Sequence, residues 1–245
     1  MNDHHEPAEV DVPGFNEKAL LVGASGVARR GAVLFLHWFD EAPNANRTQF
    51  LGEAIELARL GVTSLLPQLM FPWASAPHDA ETDLRRIEEE ASALRAALEL
   101  LGEAAGVDSS RVAIVGHDFG AMHGALLAEG SDPACVVMIA PTPRWSDWFL
   151  RFWPIEGDRF DYMRVLDPID PITAMGSISA PTLFQFGRHD FYIAAMTGSE
   201  LFGAAVKPKT MKTYDSDHGL EVPQARDDRL DFLVEHLGLV ASEDH

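Results

Sequence analysis

Gly116-His117-Asp118-Phe119-Gly120 combines residue types and a spacing that could do covalent chemistry. In the G-x-S-x-G pattern a nucleophilic side chain stands on a sharp turn between a strand and a helix. Here the central residue is Asp118 rather than serine or cysteine. A carboxylate in that place can attack an electrophilic carbon and form an ester with it. The pattern therefore indicates a covalent enzyme with Asp118 as its nucleophile.

Two further candidates follow Asp118 in the order that such a reaction needs. Asp190 comes directly after a predicted strand over residues 181–187, and His218 follows a predicted strand over residues 209–214. Histidine can activate water as a general base, and a buried acid can hold its imidazole in the required tautomer. The carboxyl ends of parallel strands meet at one edge of a sheet. We therefore expect Asp118, Asp190 and His218 to form a catalytic triad at that edge.

Alternating strands and helices must position these side chains. Apolar, β-branched segments predict strands over residues 18–22, 32–36, 62–66, 111–115, 134–140 and 181–187, and residues 209–214 are interpreted as a further strand. Helical spacing and composition predict helices over residues 46–60, 79–105, 121–129 and 226–237. This alternation is typical of an α/β fold with a mostly parallel sheet of about seven strands and helices on both faces. One domain over residues 1–245 accounts for the length, and the first dozen residues are predicted to be loose.

Residues 141–180 interrupt the alternation, because they separate two core strands by far more than a short connection. The segment is rich in aromatic residues, among them Trp145, Trp148 and Tyr162. We interpret it as a small insertion or lid over the site. The alternative is a pair of helices packed on the edge of the sheet.

With its motifs and predicted strands in this order, the chain resembles the α/β-hydrolase superfamily over nearly its whole length. The compact size and the Asp217-His218-Gly219 segment are similar to the dienelactone hydrolases. Gly116-His117-Asp118 resembles instead the epoxide hydrolases and haloalkane dehalogenases, which use an aspartate nucleophile. Since dienelactone hydrolases carry cysteine there, their substrate class is not transferred. The resemblance implies an α/β-hydrolase fold and a triad that needs no cofactor.

Hydrolysis of an aspartyl ester requires two backbone N–H donors for the oxyanion. The resemblance places one of them at Phe119, directly after the nucleophile. The other is expected in the loop His37-Trp38-Phe39-Asp40, with Phe39 as the matching donor. Trp38 and Asp40 stand where the family's His-Gly-x-Pro loop has glycine and proline.

The aspartate also narrows the substrate. Its attack on an ester carbonyl would give a mixed anhydride, whereas attack on an sp³ carbon gives an ordinary ester that activated water can cleave. We therefore expect a small apolar or cyclic epoxide or alkyl halide, with the epoxide favoured. A dienelactone-hydrolase-like esterase or lactonase, and a non-hydrolytic binding or rearranging protein, remain open. Residues expected to line the pocket are His37, Trp38, Trp145, Trp148 and Tyr162.

The composition and charge of the chain argue against several other functional classes. The formal net charge of −19 disfavours nucleic acid and anionic membranes as partners. No apolar run reaches the roughly 18 residues of a membrane span, and no signal-peptide pattern is visible at the start. Cys135 is the only cysteine, which suits a reducing cytoplasm. We expect a cytoplasmic enzyme with a small-molecule substrate, no metal or other cofactor, and a possible homo-oligomeric state.

Overall fold

The computed structural model describes residues 6–23, 31–39, 46–104 and 106–239. Asp40 of the predicted oxyanion loop and the residues at the start of the chain, 1–5, lie outside these ranges. The strands are β1 Ala8–Val10, β2 Ala19–Val22, β3 Gly31–Leu36, β4 Val62–Leu66, β5 Val112–His117, β6 Cys135–Ile139, β7 Thr182–Gly187 and β8 Lys209–Tyr214. The α-helices are α1 Leu51–Arg59, α2 Ala80–Gly102, α3 Phe119–Ala128, α4 Trp145–Phe152, α5 Arg159–Leu166, α6 Pro171–Met175, α7 Ala195–Ala204 and α8 Pro223–His236.

The eight strands of the described chain form one sheet in the order β1-β2-β4-β3-β5-β6-β7-β8. From β4 to β8 all neighbours pair in parallel, while β1 and β2 are antiparallel additions at one edge. The predicted α/β class and mostly parallel sheet are therefore confirmed. The sheet has one strand more than the predicted seven, because Ala8–Val10 pairs with β2 instead of being loose.

Helices cover both faces of the sheet, as the alternation of side chains along β7 illustrates. Gln185 donates from its amide to the carbonyl of Ala225 in α8, at 2.7 Å. The next residue back, Phe184, points to the other face and packs edge-on against Phe202 of α7. Helices α1 and α8 are joined by a buried ion pair between Glu53 and Arg229. None of the helices in the described ranges has the length and hydropathy needed to span a membrane.

The structure shifts some helix boundaries and adds one helix. The predicted helix over residues 46–60 divides into a 3-10 turn, Asn46–Thr48, and α1. Helix α3 begins at Phe119, directly after the candidate nucleophile, two residues before its predicted start. Helix α7 was not predicted, since its glycine and serine content gives it little helical signal.

Residues 141–180 contain α4, α5, a 3-10 turn and α6. Helix α5 packs against α2, where the Tyr162 hydroxyl donates to Asp83 at 2.7 Å. The amino end of α4 is held by Asp170, whose carboxylate accepts from the backbone N–H of Trp145 at 3.0 Å. The segment thus combines helices packed on the body of the protein with a helix, α4, that reaches the candidate site.

Candidate active site

Asp118 occupies a strained turn between β5 and α3. Its backbone has φ 55° and ψ −120°, a conformation that costs a residue with a Cβ about 1–3 kcal/mol and is found at functional sites. The turn fits only because Gly120 has no side chain, since a Cβ there would collide with the carbonyl oxygen of Leu36. Asp118 donates its own backbone N–H to Ile139 at 2.8 Å. The predicted strand, sharp turn and helix are therefore present, with Asp118 at the carboxyl end of β5 as the candidate nucleophile.

The three predicted triad residues lie together. His218 Nδ1 donates to Asp190 Oδ2 at 2.8 Å, and His218 Nε2 lies 3.9 Å from Asp118 Oδ2. The other oxygen of Asp190 accepts from the backbone N–H groups of Tyr192 and Ile193 at 2.8 and 2.9 Å. Asp190 is thus fixed by its own loop, and it orients the imidazole so that Nε2 faces Asp118.

The pKa values of His218 and Asp118 depend on burial and on the contact between the two side chains. Burial opposes the protonated form of His218, but contacts with Asp118 and Asp190 outweigh it and raise the pKa of His218 to about 9. Burial also raises the pKa of Asp118, which is 2% exposed, while His218 and the N–H of Phe39 lower it in part. Asp118 Oδ1 is buried with no hydrogen-bond partner among the described residues. Such an unpaired buried oxygen is costly, and its retention is typical of a group kept for chemistry.

One of the two predicted oxyanion donors is bonded to the Asp118 carboxylate. The N–H of Phe39 donates to Asp118 Oδ2 at 3.3 Å. Phe119 is the first residue of α3, so its N–H has no acceptor within the helix and lies at the positive end of the helix dipole. The structure therefore bonds the predicted donor Phe39 to Asp118, while the N–H of Phe119, the next residue, has no partner inside helix α3.

A cavity of about 1090 Å³ opens over Asp118 and His218. Its walls are mostly aromatic, its rim carries carboxylates, and neither lysine nor arginine is among its described lining residues. The lining residues are Trp38, Phe39, Asp118, Phe119, Trp148, Phe152, Trp153, His189, Phe191, Tyr192, Asp217, His218, Gly219 and Glu221.

Of the five predicted pocket residues, Trp38 and Trp148 line this cavity. His37, Trp145 and Tyr162 do not, and each is bonded elsewhere. His37 accepts from the N–H of Leu69 through Nε2 at 2.9 Å, and its burial lowers its pKa to about 3, so it stays neutral. Trp145 donates its indole N–H to Ile169 at 2.9 Å, behind Phe119. Tyr162 is buried against Asp83.

Sequence reasoning missed the aromatic residues that follow the acid. Phe191 and Tyr192 come directly after Asp190, and Tyr192 packs against His218 with ring centroids 5.1 Å apart. Their position after a strand that carries a candidate acid was the available signal. Phe152 at the end of α4 was also missed, although Trp148 of the same helix was predicted.

The site residues do not group as a metal centre. Within the described ranges, no three His, Cys, Asp or Glu side chains are arranged to hold a metal ion.

Comparison with known proteins identifies the fold. No protein-family model and no curated protein sequence matches this chain. A thermophilic esterase from Thermogutta terrifontis superposes with a TM-score of 0.73 and 13% identity, over 98% of this chain and 95% of the esterase. Acetyl xylan esterase from Paenibacillus sp. R4 gives 0.71 and 17% identity, over 96% and 89%. For dipeptidyl peptidase 4 of Porphyromonas gingivalis the TM-score is 0.70 and the identity 13%, over 94% of this chain but 35% of the peptidase. These similarities establish the α/β-hydrolase fold.

Proposed function

We propose that this protein is a hydrolase that forms a covalent ester at Asp118 and opens the epoxide ring of a neutral aromatic or cyclic substrate. The observation that carries this proposal is the placement of Asp118. Its carboxylate stands on the nucleophile turn, accepts from the N–H of Phe39 and lies 3.9 Å from the base candidate His218. An aspartate placed in this way attacks an sp³ carbon more usefully than a carbonyl carbon, because the resulting ester is hydrolysable.

In the first step Asp118 attacks one epoxide carbon, and the carbon–oxygen bond breaks with its electron pair passing to the ring oxygen. That oxygen needs a proton. Tyr192 is the tyrosine among the described lining residues of the cavity, and the residue is 43% exposed. Its hydroxyl is the proton donor we assign, in place of Tyr162, which is buried against Asp83.

Formation of the ester changes the charge of the site. Esterified Asp118 no longer carries the negative charge that helps to raise the pKa of His218, so the imidazolium releases its proton, which restores the Tyr192 hydroxyl. Neutral His218 then takes a proton from water, and the hydroxide attacks the ester carbonyl. The N–H groups of Phe39 and Phe119 bind the oxyanion. Collapse of this intermediate breaks the bond between the carbonyl carbon and the substrate oxygen. The leaving alkoxide takes the proton of the new carboxyl group, so the diol is released and Asp118 returns to its carboxylate form.

The walls of the cavity support the substrate class. Rings of Trp38, Trp148 and Tyr192 offer flat apolar contact. Asp217 and Glu221 add negative charge at the rim, and the described lining has no basic side chain to bind an anion. A neutral aromatic or cyclic group fits these walls better than a carboxylate or phosphate ester.

A second candidate is an esterase, because two of the structural neighbours are named as esterases. In that case Asp118 would serve in ester hydrolysis without forming an alkyl adduct. The two candidates therefore differ in whether a covalent product accumulates on Asp118.

Trapping the intermediate tests the proposal. His218→Ala lacks the base for the second step, so incubation with aryl epoxides should add the mass of one substrate to the peptide that contains Asp118. The double variant His218→Ala, Asp118→Asn should gain no mass, whereas His218→Ala, Asp217→Asn should still react. If folded His218→Ala forms no adduct with epoxides or alkyl halides while the wild type cleaves aryl esters, the esterase is correct.

A further inference from the structure

A chain of hydrogen bonds joins the three loops of the site through the half-buried Gln49 and the buried His117. The side-chain oxygen of Gln49 accepts from the backbone N–H of Trp38 at 2.8 Å. The side-chain nitrogen of Gln49 lies 2.6 Å from Nδ1 of His117. Nε2 of His117 lies 2.9 Å from the backbone carbonyl oxygen of His218. The chain thus runs from the oxyanion loop, past the nucleophile turn, to the loop of the base.

Only one assignment of protons gives each of these hydrogen bonds one donor and one acceptor. The His218 carbonyl can only accept, so Nε2 of His117 donates to it. His117 is 1% exposed, and burial together with the neighbouring His218 holds its pKa well below the usual value, so it is neutral. Nδ1 of His117 must then accept, and the Gln49 amide donates to it. The amide oxygen is left to accept from the N–H of Trp38, as observed.

These hydrogen bonds hold the loops that carry two groups of the proposed reaction, the N–H of Phe39 and the imidazole of His218. Trp38 immediately precedes Phe39, whose N–H points at Asp118 Oδ2. At the other end, the bonded carbonyl belongs to His218 itself. The ring of Trp38 stacks on His117 with centroids 5.3 Å apart, which packs the two loops together. The separation between the oxyanion donor and the base therefore depends on Gln49 and His117.

We propose that Gln49 and His117 are positioning residues that hold the oxyanion donor of Phe39 and the base His218 in register around Asp118. Neither contacts the Asp118 carboxylate, and neither is among the residues that line the cavity. Their effect on rate rests on the proposed function, while their effect on the geometry of the site does not.

Gln49→Met tests the proposal, because methionine keeps the length of the side chain and removes both hydrogen bonds. Gln68→Met is the matched control, since the Gln68 amide donates to Leu69 outside this chain. We expect Gln49→Met to slow both adduct formation and adduct hydrolysis by about tenfold or more in single-turnover experiments. The control should keep wild-type rates. Wild-type rates in folded Gln49→Met would overturn the proposal.

NMR of the histidine rings tests the same proposal without any substrate. Wild-type His117 should be the neutral tautomer protonated at Nε2. Gln49→Glu should make His117 protonated on both nitrogens over a wider pH range, because a carboxylate can only accept from Nδ1. Gln49→Met should shift the titration of His218, since its separation from Asp118 changes, and Gln68→Met should not.

These measurements separate the two proposals. A His117 ring protonated at Nδ1 in the wild type, or a His218 titration unmoved in Gln49→Met, would overturn the positioning role. If the rings behave as expected but no epoxide alkylates Asp118, the proposed function fails while the positioning of the site stands.

Discussion

Nε2 of His218 lies 3.9 Å from Oδ2 of Asp118, too far for a hydrogen bond but close enough for each charge to stabilise the other. Asp190 adds a second carboxylate on the far side of the ring, at 2.8 Å. In the free protein the imidazole is therefore protonated and cannot act as a base. In the proposed mechanism it gains that ability once Asp118 is esterified, so the charges of the site would set the order of the two chemical steps.

Removing the charge of Asp118 should reproduce this effect. In Asp118→Asn the pKa of His218 should fall below its wild-type value of about 9, because one of its two flanking carboxylates is gone. NMR titration of the His218 ring measures the shift. Asp217→Asn is the control, since Asp217 does not bond to the ring. A pKa unchanged in Asp118→Asn would mean that Asp190 alone sustains it.

The same pKa makes stability depend on pH. The folded value of about 9 lies above the ordinary value of 6.5, so the folded state binds this proton more tightly than the unfolded state. The resulting stabilisation is complete below pH 6.5 and is lost as the pH rises through 9. Relative to His218→Gln, the wild type should lose at most about 3 kcal/mol over this range in urea unfolding. A constant difference between the two proteins would contradict the raised pKa.

Replacement by phenylalanine should affect the reaction rate at Tyr192 and the stability of the fold at Tyr162. Tyr192→Phe removes the proposed proton donor, so epoxide opening should slow while attack on alkyl halides, whose leaving group needs no proton, should not. Tyr162→Phe should leave both rates unchanged and lower the free energy of unfolding by about 1.5–3 kcal/mol, because a hydrogen bond to the buried Asp83 is lost. Initial rates on both substrate classes and urea unfolding measure these effects. Equal slowing on epoxides and halides would argue against proton donation by Tyr192.

The nucleophile turn should tolerate no side chain at Gly120. A Cβ there would meet the backbone carbonyls of Leu36 and His37, so Gly120→Ala should cost several kcal/mol or prevent folding. Gly124→Ala, one helical turn later, places its Cβ 3.4 Å from Ile114, an ordinary contact. It should change stability by no more than about 1 kcal/mol in thermal unfolding. Similar losses in both variants would contradict this account of the turn.

Local patterns were sufficient to predict most of the sheet and the placement of the candidate triad. Strands β3 to β7 are short buried runs with a turn at the end, and Asp118 and Asp190 each follow one of them. Strand β8, which precedes His218, is an edge strand whose side chains are mostly exposed or half-buried. Strand β1 escaped prediction because its three residues are stabilised by pairing with β2, which no local pattern records. The hydrogen bond between Gln49 and His117 could not be predicted from a local pattern either, because the two residues are 68 positions apart in the sequence.

Helical periodicity alone predicts which side chains share a face of α4, but the direction of each face depends on packing between distant segments. Trp145 and Phe149 stand one turn apart and both stack on Phe119, beneath the site. Trp148 and Phe152 share the adjacent face and pack against Tyr192 at the cavity. The shared face of each pair follows from helical periodicity, because the two residues are four positions apart. The direction of each face depends on how α4 packs against the turn after β5 and the loop after β7, which are distant in sequence and come together only when the sheet has formed.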